Sequence, residues 1–148
     1  MKRRTFVVFS LAALPGGAFC QTPNIHISTT DPLVFSFTKG RDVLPGKVKI
    51  ELPALADNGH SVAMTVRVES PMTEASHVRA VHMIAEKNPV RDMAVFYFGP
   101  HSPRAEVGTR IRLNGSQRLV AVAELSDGTF WSDAVQIEVR EAACTDGG

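Results

Sequence analysis

From residue 47 onward, hydrophobic and polar residues alternate along the chain. In residues 47–52 (KVKIEL), Val48, Ile50 and Leu52 fall on one face and Lys47, Lys49 and Glu51 on the other. Residues 61–69 (SVAMTVRVE) repeat the pattern, with Val62, Met64, Val66 and Val68 opposite Ala63, Thr65, Arg67 and Glu69. So do residues 134–140 (AVQIEVR), with Val135, Ile137 and Val139 against Gln136, Glu138 and Arg140. A period of two marks half-buried antiparallel strands. Further strand candidates lie at 77–86, 93–98, 109–113 and 117–125, with a short one near 129–132. The breaks carry turn residues: DNG at 57–59, KNP at 87–89, GPHSP at 99–103, NGS at 114–116 and SDG at 126–128. About seven short strands at this spacing, with no long helical stretch, predict an all-β fold, an immunoglobulin-like antiparallel β-sandwich over residues 47–140. Residues 21–46 are less regular. DPLVFSFTKG (31–40) reads as a short helix or a loop packed on the domain.

Two strands break the half-buried rule. MAVFYF (93–98) is apolar on both faces, and LVAVAEL (119–125) nearly so. A strand apolar on both sides must be covered twice. Two covers present themselves, the irregular amino-terminal segment or a second subunit.

The first twenty residues stand apart from this pattern. MKRR is a basic start, TFVVFSLAALPGGAF is a short apolar run, and a cleavage point follows Cys20. That is the layout of an export signal, and the run is too short for a membrane-spanning helix. Arg3 and Arg4, followed by Thr5 and Phe6, fit a twin-arginine signal; the plainer reading is that they only supply n-region charge. A lipoprotein reading of Cys20 is the weaker one, because bulky Phe19 precedes it. Removing this leader takes Lys2, Arg3 and Arg4 from the 16 basic residues and none from the 15 acidic ones. The remainder is slightly acidic, with no basic run to advertise nucleic acid or a membrane surface. A hydrophobic share of 44% with 21% charged residues is that of a folded domain, and 148 residues fit one.

No catalytic set emerges. There is no GxSxG, HExxH, CxxC or glycine-rich phosphate loop, and the sequence calls for neither a metal nor a cofactor. The five histidines, at 26, 60, 77, 82 and 101, are scattered. His77 and His82 fall on opposite faces of one predicted strand, and His82, aligned with Val78, Ala80 and Ile84, reads as a hydrogen-bonded core histidine instead of a ligand. Arg110 and Arg112 share a polar strand face, which reads as solvated instead of as an anion site.

Cys144 is different. Without Cys20 it is the one remaining cysteine, five residues from the end, in EAACTDGG (141–148). An odd thiol in an exported chain has no internal disulfide partner. Val139 is the last residue of the strand pattern, so the thiol sits about five residues further on, in a flexible arm of residues 141–148; fully extended, those five residues span at most about 16–18 Å. Ala142, Ala143, Thr145, Asp146, Gly147 and Gly148 are slender neighbours. Glu141, Asp146 and the terminal carboxylate disfavour the thiolate, and nothing in the arm serves as a general base. The residues thus describe a passive attachment point, loaded and unloaded by other enzymes. The competing reading is an exported immunoglobulin-like binding or assembly module whose cysteine is incidental or forms an intermolecular disulfide.

The ordered segments LPALADNGHSVAMTVRVESPM, EKNP, TRIRL, AVAELSDGTF and VQIEV, followed by a near-terminal cysteine, resemble the SoxY family of sulfur-carrier proteins in bacterial thiosulfate oxidation, over residues 44–144. The resemblance implies a periplasmic carrier paired with a SoxZ-like subunit, with Cys144 as the covalent sulfur attachment point. It further implies transient visits to SoxAX-like, SoxB-like and sulfane-dehydrogenase-like enzymes, which load thiosulfate, release sulfate and oxidise the remaining sulfur. The chain departs from that family's Gly-Gly-Cys-Gly-Gly ending at Ala142, Ala143, Thr145 and Asp146, which bears on substrate identity and choice of partner enzyme.

Overall fold

A computed structural model describes residues 27–28 and 30–143. Within them the chain forms helix α1 (Pro32–Thr38) and nine strands: β1 (Val43–Pro45), β2 (Val48–Glu51), β3 (Leu55–Asn58), β4 (Val62–Val68), β5 (Val78–Ala85), β6 (Asp92–Tyr97), β7 (Ala105–Ile111), β8 (Gln117–Leu125) and β9 (Phe130–Glu141). One sheet runs β1-β9-β8-β5-β6, with β3 added to β9, and the other runs β2-β4-β7. The two pack as the predicted sandwich. The alternation that marks β2, β4 and β9 becomes its core: Val48, Ile50, Val62, Met64, Val66 and Val68 meet Val81, Met83, Leu119, Ala121, Ile137 and Val139 between the sheets. No disulfide ties the layers among the described residues, so apolar burial carries them, at about 25 cal/mol per Å² removed from water.

The strand count rises above seven because β9 recruits short neighbours. Its open edge takes β1 opposite Phe130–Ser132 and β3 opposite Glu138–Glu141, both in parallel. These two pairings make the larger sheet mixed, where the sequence pattern led to an antiparallel one. Between them the chain turns into the other sheet at β2, where the Ile50 amide donates to Asp133 Oδ2 at 2.9 Å. A three- or four-residue strand is too short for alternation to reveal it, and DNG, read as a turn, contributes two residues to β3. The segments expected separately at 129–132 and 134–140 are one continuous β9, and the strand expected at 109–113 begins earlier, at Ala105.

The amino-terminal segment supplies the short helix. Asp31 caps it, accepting from the Leu33 amide at 3.0 Å, and Pro32 occupies its first turn, where the missing N–H costs nothing. Lys39, in the left-handed conformation, ends it by donating its amide to Phe35 at 2.9 Å. Val34 lies over Ile84, Val120, Val122, Phe130 and Ala134, forming a second apolar cluster on the outer face of β5, β8 and β9. The doubly apolar strand at 119–125 is therefore covered by its own chain. The other one, β6, is an edge strand, and Tyr97 (81% exposed) and nearby Val90 (71%) remain open.

His82 does face the α1 side. It is part-buried and stacks on Phe37, with ring centroids 3.9 Å apart and planes 6° apart. Stacking takes the place of the expected hydrogen bond: among the described residues no partner bonds its ring. The hydration it loses there holds the imidazole below its ordinary pKa.

Candidate functional site: the root of the C-terminal arm

Four chain segments converge where the carboxyl end leaves the sandwich. β9 runs to Glu141, and Gly59 donates its amide to the Glu141 carbonyl at 2.7 Å. The Leu113 amide donates to the Gly59 carbonyl at 2.9 Å, and the Ala143 amide to the Leu113 carbonyl at 3.0 Å. Gly59 is buried, and a Cβ placed on it would lie 2.1 Å from the Leu113 oxygen and 3.0 Å from the Ala143 nitrogen. Only glycine lets the three backbones approach this closely.

The arm was expected to start at residue 141, but Ala142 and Ala143 are half-buried and Ala143 is bonded to the fold. Strand pairing with β3, followed by the knot at Gly59, carries order past the end of the hydrophobic alternation. Cys144, Thr145, Asp146, Gly147 and Gly148 lie outside the described residues, as do the whole leader with Cys20, and His26. With Ala143 held, the Cα of Cys144 is one peptide step, about 3.8 Å, from an anchored residue.

A side-chain network stiffens the same end. Asn88 Oδ1 accepts from the Asn114 amide and from Gln117 Nε2, both at 2.9 Å, while Asn88 Nδ2 donates to the Arg112 carbonyl at 2.9 Å. Gln117, 1% exposed, also accepts from the Lys87 amide at 2.9 Å through Oε1. Ser116 Oγ bonds both the amide and the carbonyl of Val139, tying the 112–116 loop to the last turns of β9. Gln117 is the member that strand alternation hides, since it lies on an apolar face. Its only signal is a polar residue at a position the period assigns to the core.

The four described histidines do not gather. His77 Nδ1 is 3.0 Å from the Thr73 carbonyl, His82 is under α1, and His60 and His101 are exposed at separate places. The described residues contain no cluster of three or more His, Cys, Asp or Glu suited to a metal. Arg110 and Arg112 are exposed, as expected of a solvated face. Arg110 Nε donates to Ser61 Oγ at 2.6 Å, and Arg112 Nη2 lies 3.4 Å from His60 Nδ1.

Beside this end, the free edges of β6 and β7 border a groove of about 360 Å³ with Met64, Met83, Met93, Phe96 and Ile111 along it. No helix of the described residues is long and apolar enough to cross a membrane.

Fold and site together define a class: an immunoglobulin-like β-sandwich that stiffens its final strand up to a cysteine-bearing tail. The family model "Sulfur oxidation protein SoxY" matches residues 36–144, and the chain belongs to that family. The match ends on Cys144. Among solved structures, the chain is similar to the sulfur carrier protein SoxY from Chlorobium limicola f thiosulfatophilum, with 20% identity, TM-score 0.63, and 74% of this chain and 90% of that one covered. It is also similar to a superoxide reductase (neelaredoxin) from Ignicoccus hospitalis, with 21% identity, TM-score 0.56 and coverage of 64% and 80%. A putative superoxide reductase from Thermotoga maritima matches with 20% identity, TM-score 0.57 and coverage of 71% and 91%. These likenesses show a shared fold. No curated protein matches the chain.

Proposed function

We propose that the protein is a covalent sulfur carrier of periplasmic thiosulfate or sulfur oxidation, with Cys144 as the attachment point. The observation that carries this reading is that the SoxY-family match reaches Cys144 and that the residue before it, Ala143, is hydrogen-bonded to the sandwich through the Leu113 carbonyl. An anchored root and a short slender tail suit a thiol that other proteins must reach.

Loading joins the Cys144 sulfur to the sulfane sulfur of thiosulfate. The thiol loses its proton, two electrons pass to a SoxAX-like cytochrome, and Cys–S–S–SO3⁻ forms. A SoxB-like hydrolase then adds water, releasing sulfate and two protons and leaving Cys–S–S⁻ for a sulfane-dehydrogenase-like enzyme. The carrier supplies position, and the activation comes from the partners. A SoxZ-like subunit is the proposed cover for β6, the one doubly apolar strand that α1 leaves open. Export through a twin-arginine-type leader brings the chain to these enzymes.

The test is the mass of the Cys144 peptide in protein taken from cells oxidising thiosulfate. A reductant-sensitive gain of sulfur or a sulfur oxoacid is expected there, along with loss of thiosulfate-dependent respiration in a Cys144→Ser strain. Full respiration by that strain would refute the proposal.

A further inference from the structure

The polar strand face of Arg110 and Arg112 reads as solvated on its own, but its neighbours change the reading. His60 follows Gly59, and Arg112 precedes Leu113. The two residues therefore flank the backbone knot that holds Ala143, and their side chains meet at 3.4 Å. The Arg112 backbone is fixed a second time, through its carbonyl, by Asn88 Nδ2. Arg110, on the same face, is steered by Ser61. Arg67, Arg79, Arg91, Arg118 and Arg140 each lie within 4 Å of a carboxylate, whereas among the described residues Arg41, Arg104, Arg110 and Arg112 do not; of these four, only Arg112 adjoins Leu113, whose carbonyl bonds Ala143. Arg112 is thus next in the chain to the residue that holds the one before the attachment cysteine, and neither it nor Arg110, two residues earlier, is paired with a described carboxylate.

We propose that Arg112, oriented by His60 and supported by Arg110, is an anion site that holds the oxyanion end of the group carried on Cys144, a sulfonate joined through sulfur. The inference rests on the carrier reading for its cargo. A guanidinium offers a planar fork of N–H donors matched to neighbouring oxyanion oxygens. An exposed contact of this kind is weak, at most about 1 kcal/mol or fivefold in an equilibrium. That suits a hold that must release whenever a partner enzyme takes the arm.

Sulfitolysis tests the site without any partner enzyme. Cys144 is first converted to its mixed disulfide with 2-mercaptoethanol, a neutral adduct, and sulfite is added. The sulfite sulfur attacks Cys144 Sγ, the S–S bond breaks, mercaptoethanol leaves as the thiolate with the bonding pair, and Cys144–S–SO3⁻ forms. The disulfide is the oxidant, so no other is needed. The ratio of the two adducts on the Cys144 peptide, read by mass across a range of sulfite-to-thiol ratios, gives the preference for an anionic over a neutral group. Arg112→Gln should lower that constant about fivefold at low ionic strength, with the difference shrinking towards 1 M salt, where the Debye length is about 3 Å. Arg110→Gln and His60→Gln should lower it less. Arg67→Gln removes the same charge from a residue already paired with Glu51 and Glu106, and should leave it unchanged. An Arg112→Gln constant equal to wild type, or equal to that of Arg67→Gln, overturns the site. The two proposals fail separately: an unshifted constant with an adduct found in cells removes only the anion site, whereas a shifted constant with no adduct in cells leaves the site and removes its cargo.

Discussion

Replacing Gly59 with alanine would push a methyl group into the place where three backbone segments cross. The added Cβ would sit 2.1 Å from the Leu113 oxygen, an approach that forces backbone to move, since the atoms it meets in Leu113 and Ala143 are all backbone. Gly59 is not among the glycines with positive φ, so bulk alone argues against a side chain there. Three hydrogen bonds depend on the close approach: Gly59 to Glu141, Leu113 to Gly59 and Ala143 to Leu113. At about 1 kcal/mol each, their loss costs about 2–3 kcal/mol. The lower backbone entropy of unfolded alanine returns about 0.4–1 kcal/mol. A net destabilisation of about 2 kcal/mol should lower the urea midpoint by about 1 M, given slopes of about 1–3 kcal/mol/M. Amide exchange gives the local readout, with the Leu113 and Ala143 amides exchanging faster in Gly59→Ala and those of β5 and β8 keeping their rank order. An unchanged midpoint together with unchanged protection at Ala143 would refute the idea that this glycine holds the arm root.

Asn88→Ala removes three bonds and strips Gln117, 1% exposed, of one of its partners; a loss of about 1–3 kcal/mol is expected by chemical denaturation, with β8 intact by circular dichroism. Asp31→Ala deletes the helix cap and the 2.6 Å pair with Arg91, for about 1 kcal/mol at neutral pH. The Arg91 hydrogen bond holds the Asp31 carboxyl below its ordinary value, so its contribution is present above the unfolded carboxylate pKa of about 3.9 and lost as pH falls below it. Denaturation curves of wild type and variant should accordingly converge in acid. His82 has the same sign for another reason: burial lowers its pKa, so below about pH 6.5 the unfolded chain takes up a proton that the folded one resists, and stability falls. His82→Phe should flatten that limb of the stability–pH profile, and an unaltered slope between pH 6.5 and 5 would contradict the stacked, desolvated placement.

Local pattern alone determined a good deal of this protein. The period-two alternation of residues 48–52, 62–68 and 135–139 named the strands and their inward faces, because each residue's side in a strand follows from its immediate neighbours. The near-terminal cysteine was equally plain, since position in a chain needs no fold to be read. Family likeness had the same local source: DNGH, EKNP and TRIRL were legible as separate segments. What alternation could not say was that Gly59, Asn88 and Arg112, each from a different one of those segments, would meet at one end of the sandwich. Sheet order decides that, by bringing the turn before β4, the turn before β6 and the end of β7 beside the last residues of β9. Tertiary packing also chose between two covers that the sequence left open for 119–125, laying α1 over Val120 and Val122 and leaving β6 at an edge. It moved the start of the arm as well. Residues 140–143 show no apolar period, yet parallel pairing with β3 and a buried glycine hold them, through backbone groups that every residue carries and no hydrophobic pattern records.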